Sequence, residues 1–264
     1  MGEKTTTRAA AILTALLFLA MVTVNGLANG LPLNGVDTGQ LSDEIPNLFV
    51  PAGITFAIWG LIYALLLGYV ATVLTEAFGK KPSGAWKAAD GWIFSVNALF
   101  NAAWIFAWHW RLVPLSLLIM AGLLVTLVML MERIHRAGPV PGWKGFFLRV
   151  PILVYLGWIC VATIANVTAV LVTAGWNGFG IPPEVWTVLV ILVGAAVGFL
   201  LVRKRDAVCS GLVVLWAYAG IIIKRLDVGG DSALPVILAA AAGGLVVAAA
   251  IVARLVARKK RTAA

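Results

Sequence analysis

Eight apolar runs free of Asp, Glu, Lys and Arg divide this chain, near residues 9–28, 53–75, 91–108, 112–131, 150–174, 185–202, 207–223 and 233–253. A helix needs about 20 mostly apolar residues to cross a bilayer. Within hydrocarbon a helix can satisfy its own backbone donors and acceptors. Eight such runs in 264 residues leave only short connections. The predicted fold class is therefore an all-α polytopic membrane protein of about eight transmembrane helices, with the lipid bilayer as its main partner and no separate soluble core. Composition agrees: 12% of residues are charged, against about a quarter in soluble domains.

The formal charge of +9 would point to nucleic acid in a soluble chain, but here its placement decides its meaning. Eight crossings put the connections alternately on two sides. All 20 Lys and Arg except Arg111, Lys224 and Arg225 then fall on the side that holds both termini. Basic residues collect in cytoplasmic loops, so both ends are expected in the cytoplasm, with a basic C-terminal tail running to Arg261, and no nucleic-acid partner is expected. Adding or removing one span would scatter that asymmetry. The first run follows Lys4 and Arg8 like a signal peptide, but its length and lack of a small-x-small cleavage site favour a retained helix.

Connections carry their own signals. Only His109, Trp110 and Arg111 separate the third and fourth runs, which predicts a tight antiparallel hairpin. Segment 29–52 has no Lys or Arg and is punctuated by Pro32, Asn34-Gly35, Pro46 and Pro51, the composition of a turn-rich loop. Gly243-Gly244 marks a kink or a close packing point in the last span.

Several chemistries lack their parts. No charged residue stands at mid-span, where proton relays and ion-coupled transporters carry theirs. His109 and His135 are too far apart for a metal site, and Cys160 and Cys209 have no ligand spacing. There is no Ser-His-Asp set, no HExxH and no phosphate-binding glycine loop. No catalytic residue, metal or required cofactor is expected, and an enzyme is not advertised.

What stands out is polar and aromatic matter inside the spans. Tryptophans at span ends, such as Trp86, Trp143, Trp176 and Trp186, suit an interfacial belt. Trp59, Trp104 and Trp158 lie deeper. Trp59 and Tyr63 are i and i+4; Asn97, Asn101 and Trp104 follow i, i+4 and i+7; Tyr155, Trp158, Ala162 and Asn166 follow i, i+3, i+7 and i+11, so each set shares a helical stripe. Buried amides need partners, which leaves two readings open. They lock helices together, or they orient a flat apolar ligand in an aromatic-walled pocket.

Three of these stretches resemble the tryptophan-rich sensory protein family (TspO; translocator protein or peripheral benzodiazepine receptor in animals). Ile58 to Tyr69, IWGLIYALLLGY, is similar to the family's second-helix Trp-x-x-x-Tyr pattern. Asn97 to Trp104, NALFNAAW, is similar to the third-helix Gln-x-x-x-Asn-x-x-Trp, with Asn97 in place of Gln. Tyr155 to Asn166, YLGWICVATIAN, resembles the fifth-helix Tyr-Leu-x-Trp-x-x-x-Ala-Thr-x-x-Asn throughout.

The resemblance spans about 9–175 and implies a TspO-like five-helix bundle over 1–175, with a three-helix extension and basic tail over 176–264. It also implies a hydrophobic planar ligand of porphyrin, haem or sterol-like class, bound for sensing, sequestration or transport. Trp59, Tyr63, Trp104, Tyr155 and Trp158 would supply walls, with Ala162 beside them and Asn97, Asn101 and Asn166 orienting the ligand. A tetrapyrrole would then be a ligand, not a required cofactor, and a homodimer in a bacterial cytoplasmic membrane is in keeping with the family. The alternatives are ion-independent transport of an amphipathic solute, or oxidative porphyrin breakdown.

Overall fold

The computed structural model describes residues 2–31 and 33–263; Pro32 and the side chain of Arg261 lie outside the described residues. Its elements are all helical: α1 (Glu3–Gly30), α2 (Thr38–Glu44), α3 (Ile58–Phe78), α4 (Ala88–His109), α5 (Val113–Ala137), α6 (Gly142–Thr173), α7 (Pro183–Arg205), α8 (Val208–Val228) and α9 (Ala233–Ala263). Short 3₁₀ turns stand at Leu33–Gly35, Gly53–Ala57 and Gly178–Gly180. Among the described residues, eight helices, all but α2, are long and apolar enough to span a membrane. Large side chains such as Leu67, Leu118 and Leu245 are more than half exposed on their outer faces, which is unremarkable in lipid and unsupportable over such an area in water.

The helices run past the apolar segments that announce them, because backbone hydrogen bonding continues where hydropathy falls. α6 begins at Gly142, within the basic loop region, and α9 continues through Arg254 and Arg258. The expected hairpin is present. Arg111 takes a left-handed φ of 57°, the Leu112 amide donates to the Ala107 carbonyl at 2.9 Å, and Pro114 stands in the first turn of α5, where its missing N–H costs nothing. Segment 29–52 has the expected turn at Asn34-Gly35, where both residues take positive φ, but it is not all turns. It contains α2, whose start is capped by Asp37 Oδ1 accepting the Gly39 and Gln40 amides at 2.8 Å.

The chain forms two compact units. The first comprises residues 1–41 and 58–156. Here α4 packs against both α1 and α5, and α1 also meets α3. α1 buries Ala10, Thr14, Phe18, Met21, Asn25 and Ala28, a stripe with steps of three and four. Gly91 of α4 permits the approach: a Cβ there would lie 3.1 Å from both Ala10 Cβ and Thr14 Oγ1. Residues 151–156 of α6 are all buried.

The second unit comprises residues 42–57 and 157–264, in which α7, α8 and α9 touch pairwise. Small residues set its crossings. A Cβ on Gly157 would meet the Ser210 backbone at 2.8 Å, and one on Gly243 would lie 3.1 Å from Ala195 Cβ and Tyr218 Cε2. Gly243 is thus a packing point in an uninterrupted α9. Segment 42–57 is tied to α8: the Ala52 amide donates to the Gly220 carbonyl at 3.0 Å, and Trp216 Nε1 donates to the Thr55 carbonyl at 2.9 Å.

Candidate functional site

α4 brings Asn97, Asn101, Trp104 and Trp108 to its buried face, yet these side chains serve three different neighbours. Asn101 is the hub. Asn25 Nδ2 of α1 donates to Asn101 Oδ1 at 2.7 Å, and Asn101 Nδ2 donates to Tyr155 Oη of α6 at 2.6 Å. Asn25, Asn101 and Tyr155 are all buried. One polar relay therefore crosses from α1 through α4 to α6, as buried amides in hydrocarbon require. Asn25 also donates to the Met21 carbonyl at 2.9 Å.

The relay ends on aromatic rings. Tyr155 meets Trp59 edge-on at 5.8 Å between centroids, and Trp59 stacks on Tyr63 at 5.5 Å with 19° between planes. Spacing alone predicts that last pair, since i and i+4 face one another. The Tyr63 hydroxyl is buried and has no hydrogen-bond partner among the described residues. A donor left so in an apolar setting costs about 1–3 kcal/mol, so it is a place where an acceptor on a bound molecule would gain.

Asn97 faces α5 instead. Its Nδ2 donates to Thr126 Oγ1 at 2.8 Å and to the Leu123 carbonyl at 3.2 Å, an interhelical lock. Trp104 stacks on Trp108 at 5.4 Å with 14° between planes, and its buried Nε1 has no partner among the described residues. Trp108 Nε1 reaches the Thr38 carbonyl at 3.3 Å, so this stack leads to the loop that follows α1.

His109, which the sequence places merely at an interface, secures that loop. Fully buried, it has Nδ1 2.9 Å from the Leu33 carbonyl and Nε2 3.2 Å from Thr38 Oγ1, while Asn34 Nδ2 donates to the His109 carbonyl at 2.9 Å. A carbonyl can only accept, so Nδ1 carries a proton and donates to Leu33, while Nε2 shares a hydrogen bond with the Thr38 hydroxyl. Asn25 is the other residue the stripes omit. Its signal is a lone amide in an otherwise apolar run, which had to find a partner.

Trp158, Ala162 and Asn166 stand on the part of α6 that belongs to the second unit. Phe56 meets Trp158 edge-on at 5.9 Å; Asn166 is buried and Ala162 half-buried. At the far end of α4, Trp86 is buried against the protein, its Nε1 donating to Tyr69 Oη at 3.3 Å.

The sequence matches the family model described as TSPO-like protein over residues 11–253. That match takes in α7, α8 and most of α9, beyond the stretch that the three motifs reach. No curated protein and no solved structure matches the chain.

Proposed function

The chain belongs to the TSPO-like protein family, and from that premise we propose that it binds a hydrophobic planar small molecule, of porphyrin, haem or sterol-like class, for sensing, sequestration or transport across the membrane. The observation that carries this reading is the Trp59–Tyr63 stack beside Tyr155, which ends in an unpartnered buried hydroxyl. Stacked rings offer a flat ligand face contact, and Tyr63 Oη offers it one hydrogen bond. Asn101 holds Tyr155 in place from behind. Asn97, Trp104, Trp158, Ala162 and Asn166 enter the proposal through the family resemblance. Both termini are proposed to face the cytoplasm, in a bacterial cytoplasmic membrane.

The test uses Tyr63→Phe, which deletes the unpartnered hydroxyl and keeps the ring. A purely structural Tyr63 predicts equal or greater stability and an unchanged protoporphyrin titration. The proposal predicts unchanged stability with affinity weakened by about 3- to 30-fold, the worth of one hydrogen bond. Saturable protoporphyrin binding identical in wild type, Tyr63→Phe and Trp59→Leu would overturn it.

A further inference from the structure

The end of α4 opposite His109 carries a second feature, independent of the aromatic stack. There the loop joining α3 to α4 and the loop joining α5 to α6 flank an open cavity of about 690 Å³, whose lining includes Lys87, Arg133, Arg136 and Lys144 but only one acid, Asp90. Asp90 is committed internally. It accepts the Lys87 amide at 2.7 Å at the start of α4 and pairs with Arg133.

Lys144 is fixed as well, through Glu76 at 2.7 Å and the Lys81 carbonyl at 3.0 Å. Glu76, its side chain 1% exposed, also accepts from the Ser83 amide and hydroxyl and the Gly84 amide. The cavity walls are therefore braced from behind. The side chains of Lys87 and Arg136 are exposed and, among the described residues, no carboxylate pairs with them. A smaller cleft of about 40 Å³ adjoins, sharing Ala85 and Arg133 and adding Trp86, Leu130 and Leu148. The site thus has a cationic mouth and an apolar floor.

We propose that this cavity binds a phosphate group, with Lys87 and Arg136 as its principal ligands, while Arg133 and Lys144, each paired with a carboxylate, hold the walls in place. Four apolar helices end or begin around it, α3 at Phe78, α4 at Ala88, α5 at Ala137 and α6 at Gly142. Lipid phosphodiesters lie at the membrane surface, where spanning helices end and basic side chains gain from them. Arg presents a planar fork of donors to phosphate oxygens and Lys a compact charge, while the floor can take the first methylenes of an acyl chain. The same chemistry would serve a soluble phosphate ester.

Native mass spectrometry of the full chain in detergent separates the sources, with phosphatidylglycerol, phosphatidylcholine and glycerol phosphate as probes. The expected result is preferential retention of phosphatidylglycerol over phosphatidylcholine. Lys87→Gln with Arg136→Gln should weaken it roughly thirtyfold, about fivefold for each cation. Lys87→Arg with Arg136→Lys should keep the binding, which distinguishes lost charge from lost fold. Arg203→Gln with Lys204→Gln, which removes charge from α7, should leave it intact.

Saturable glycerol phosphate binding that the Gln pair abolishes, without lipid preference, would assign the site to a soluble phosphate ester. Absence of binding by any phosphate probe, or binding unaffected by the Gln pair, would overturn the proposal.

Discussion

Replacing Asn101 by Leu tests whether the polar relay holds α1, α4 and α6 together. The substitution keeps the side chain's approximate shape, so little cavity energy enters. It deletes two interhelical hydrogen bonds, the 2.7 Å bond from Asn25 and the 2.6 Å bond to Tyr155, all three residues being buried. Such bonds in a bilayer average about 0.6 kcal/mol and reach about 1.7 kcal/mol. The loss should thus be about 1–3 kcal/mol. Reversible unfolding in mixed micelles measures it, and a cycle with Tyr155→Phe isolates one arm of the relay. With Tyr155 already lacking its hydroxyl, Asn101→Leu should cost less by about 0.6–1.7 kcal/mol. Asn101→Leu within a few tenths of a kcal/mol of wild type, or zero coupling in the cycle, would refute the reasoning that the relay bears on stability.

Two further expectations concern the second unit. Gly157→Ala should destabilise by about 1–3 kcal/mol, because its Cβ would meet Ser210 backbone atoms at 2.8 Å. As a control in the first unit, Gly60→Ala, with nothing within 4 Å, should be neutral or stabilising in the same unfolding assay. Asp206 gives a pH dependence. Burial raises its carboxyl pKa, but hydrogen bonds from Arg258 and Arg254 outweigh that and hold it below the usual carboxylate range. The unfolded chain then binds more protons as acid is added. The stabilisation by Asp206 should be complete above its ordinary pKa of about 3.9 and fade as pH falls through the lower folded value. In unfolding measurements across pH, the difference between wild type and Asp206→Asn should be constant at neutral pH and shrink in acid; a difference that grows in acid would contradict it.

The sequence announces the eight spans because hydrocarbon admits so few backbone solutions, and the tight turn after His109 because three residues leave no other path. Helix ends are less legible. α6 starts among Lys144 and its neighbours, where periodicity and capping matter more than hydropathy. The stripes correctly pair Trp59 with Tyr63, a local relation. They cannot reveal that Asn97 and Asn101, one turn apart, serve different helices. Nor can they find Asn25 or His109, whose partners stand 76 residues away in Asn101 and 71 in Thr38. Polar contacts of that range depend on which faces meet.

Segment 42–57 belongs with helices that lie far downstream, and this sets an order in time. Thr55 accepts from Trp216, 161 residues later. At roughly 5–20 residues per second of synthesis, its carbonyl waits on the order of 8–30 seconds for that donor. Meanwhile α3 to α6 emerge with the segment's hydrogen bonds to α8 still unmade. A protease or membrane chaperone acting in that interval would meet it without those bonds, and a chain stopped after α6 would keep only ring contacts such as Phe56 on Trp158.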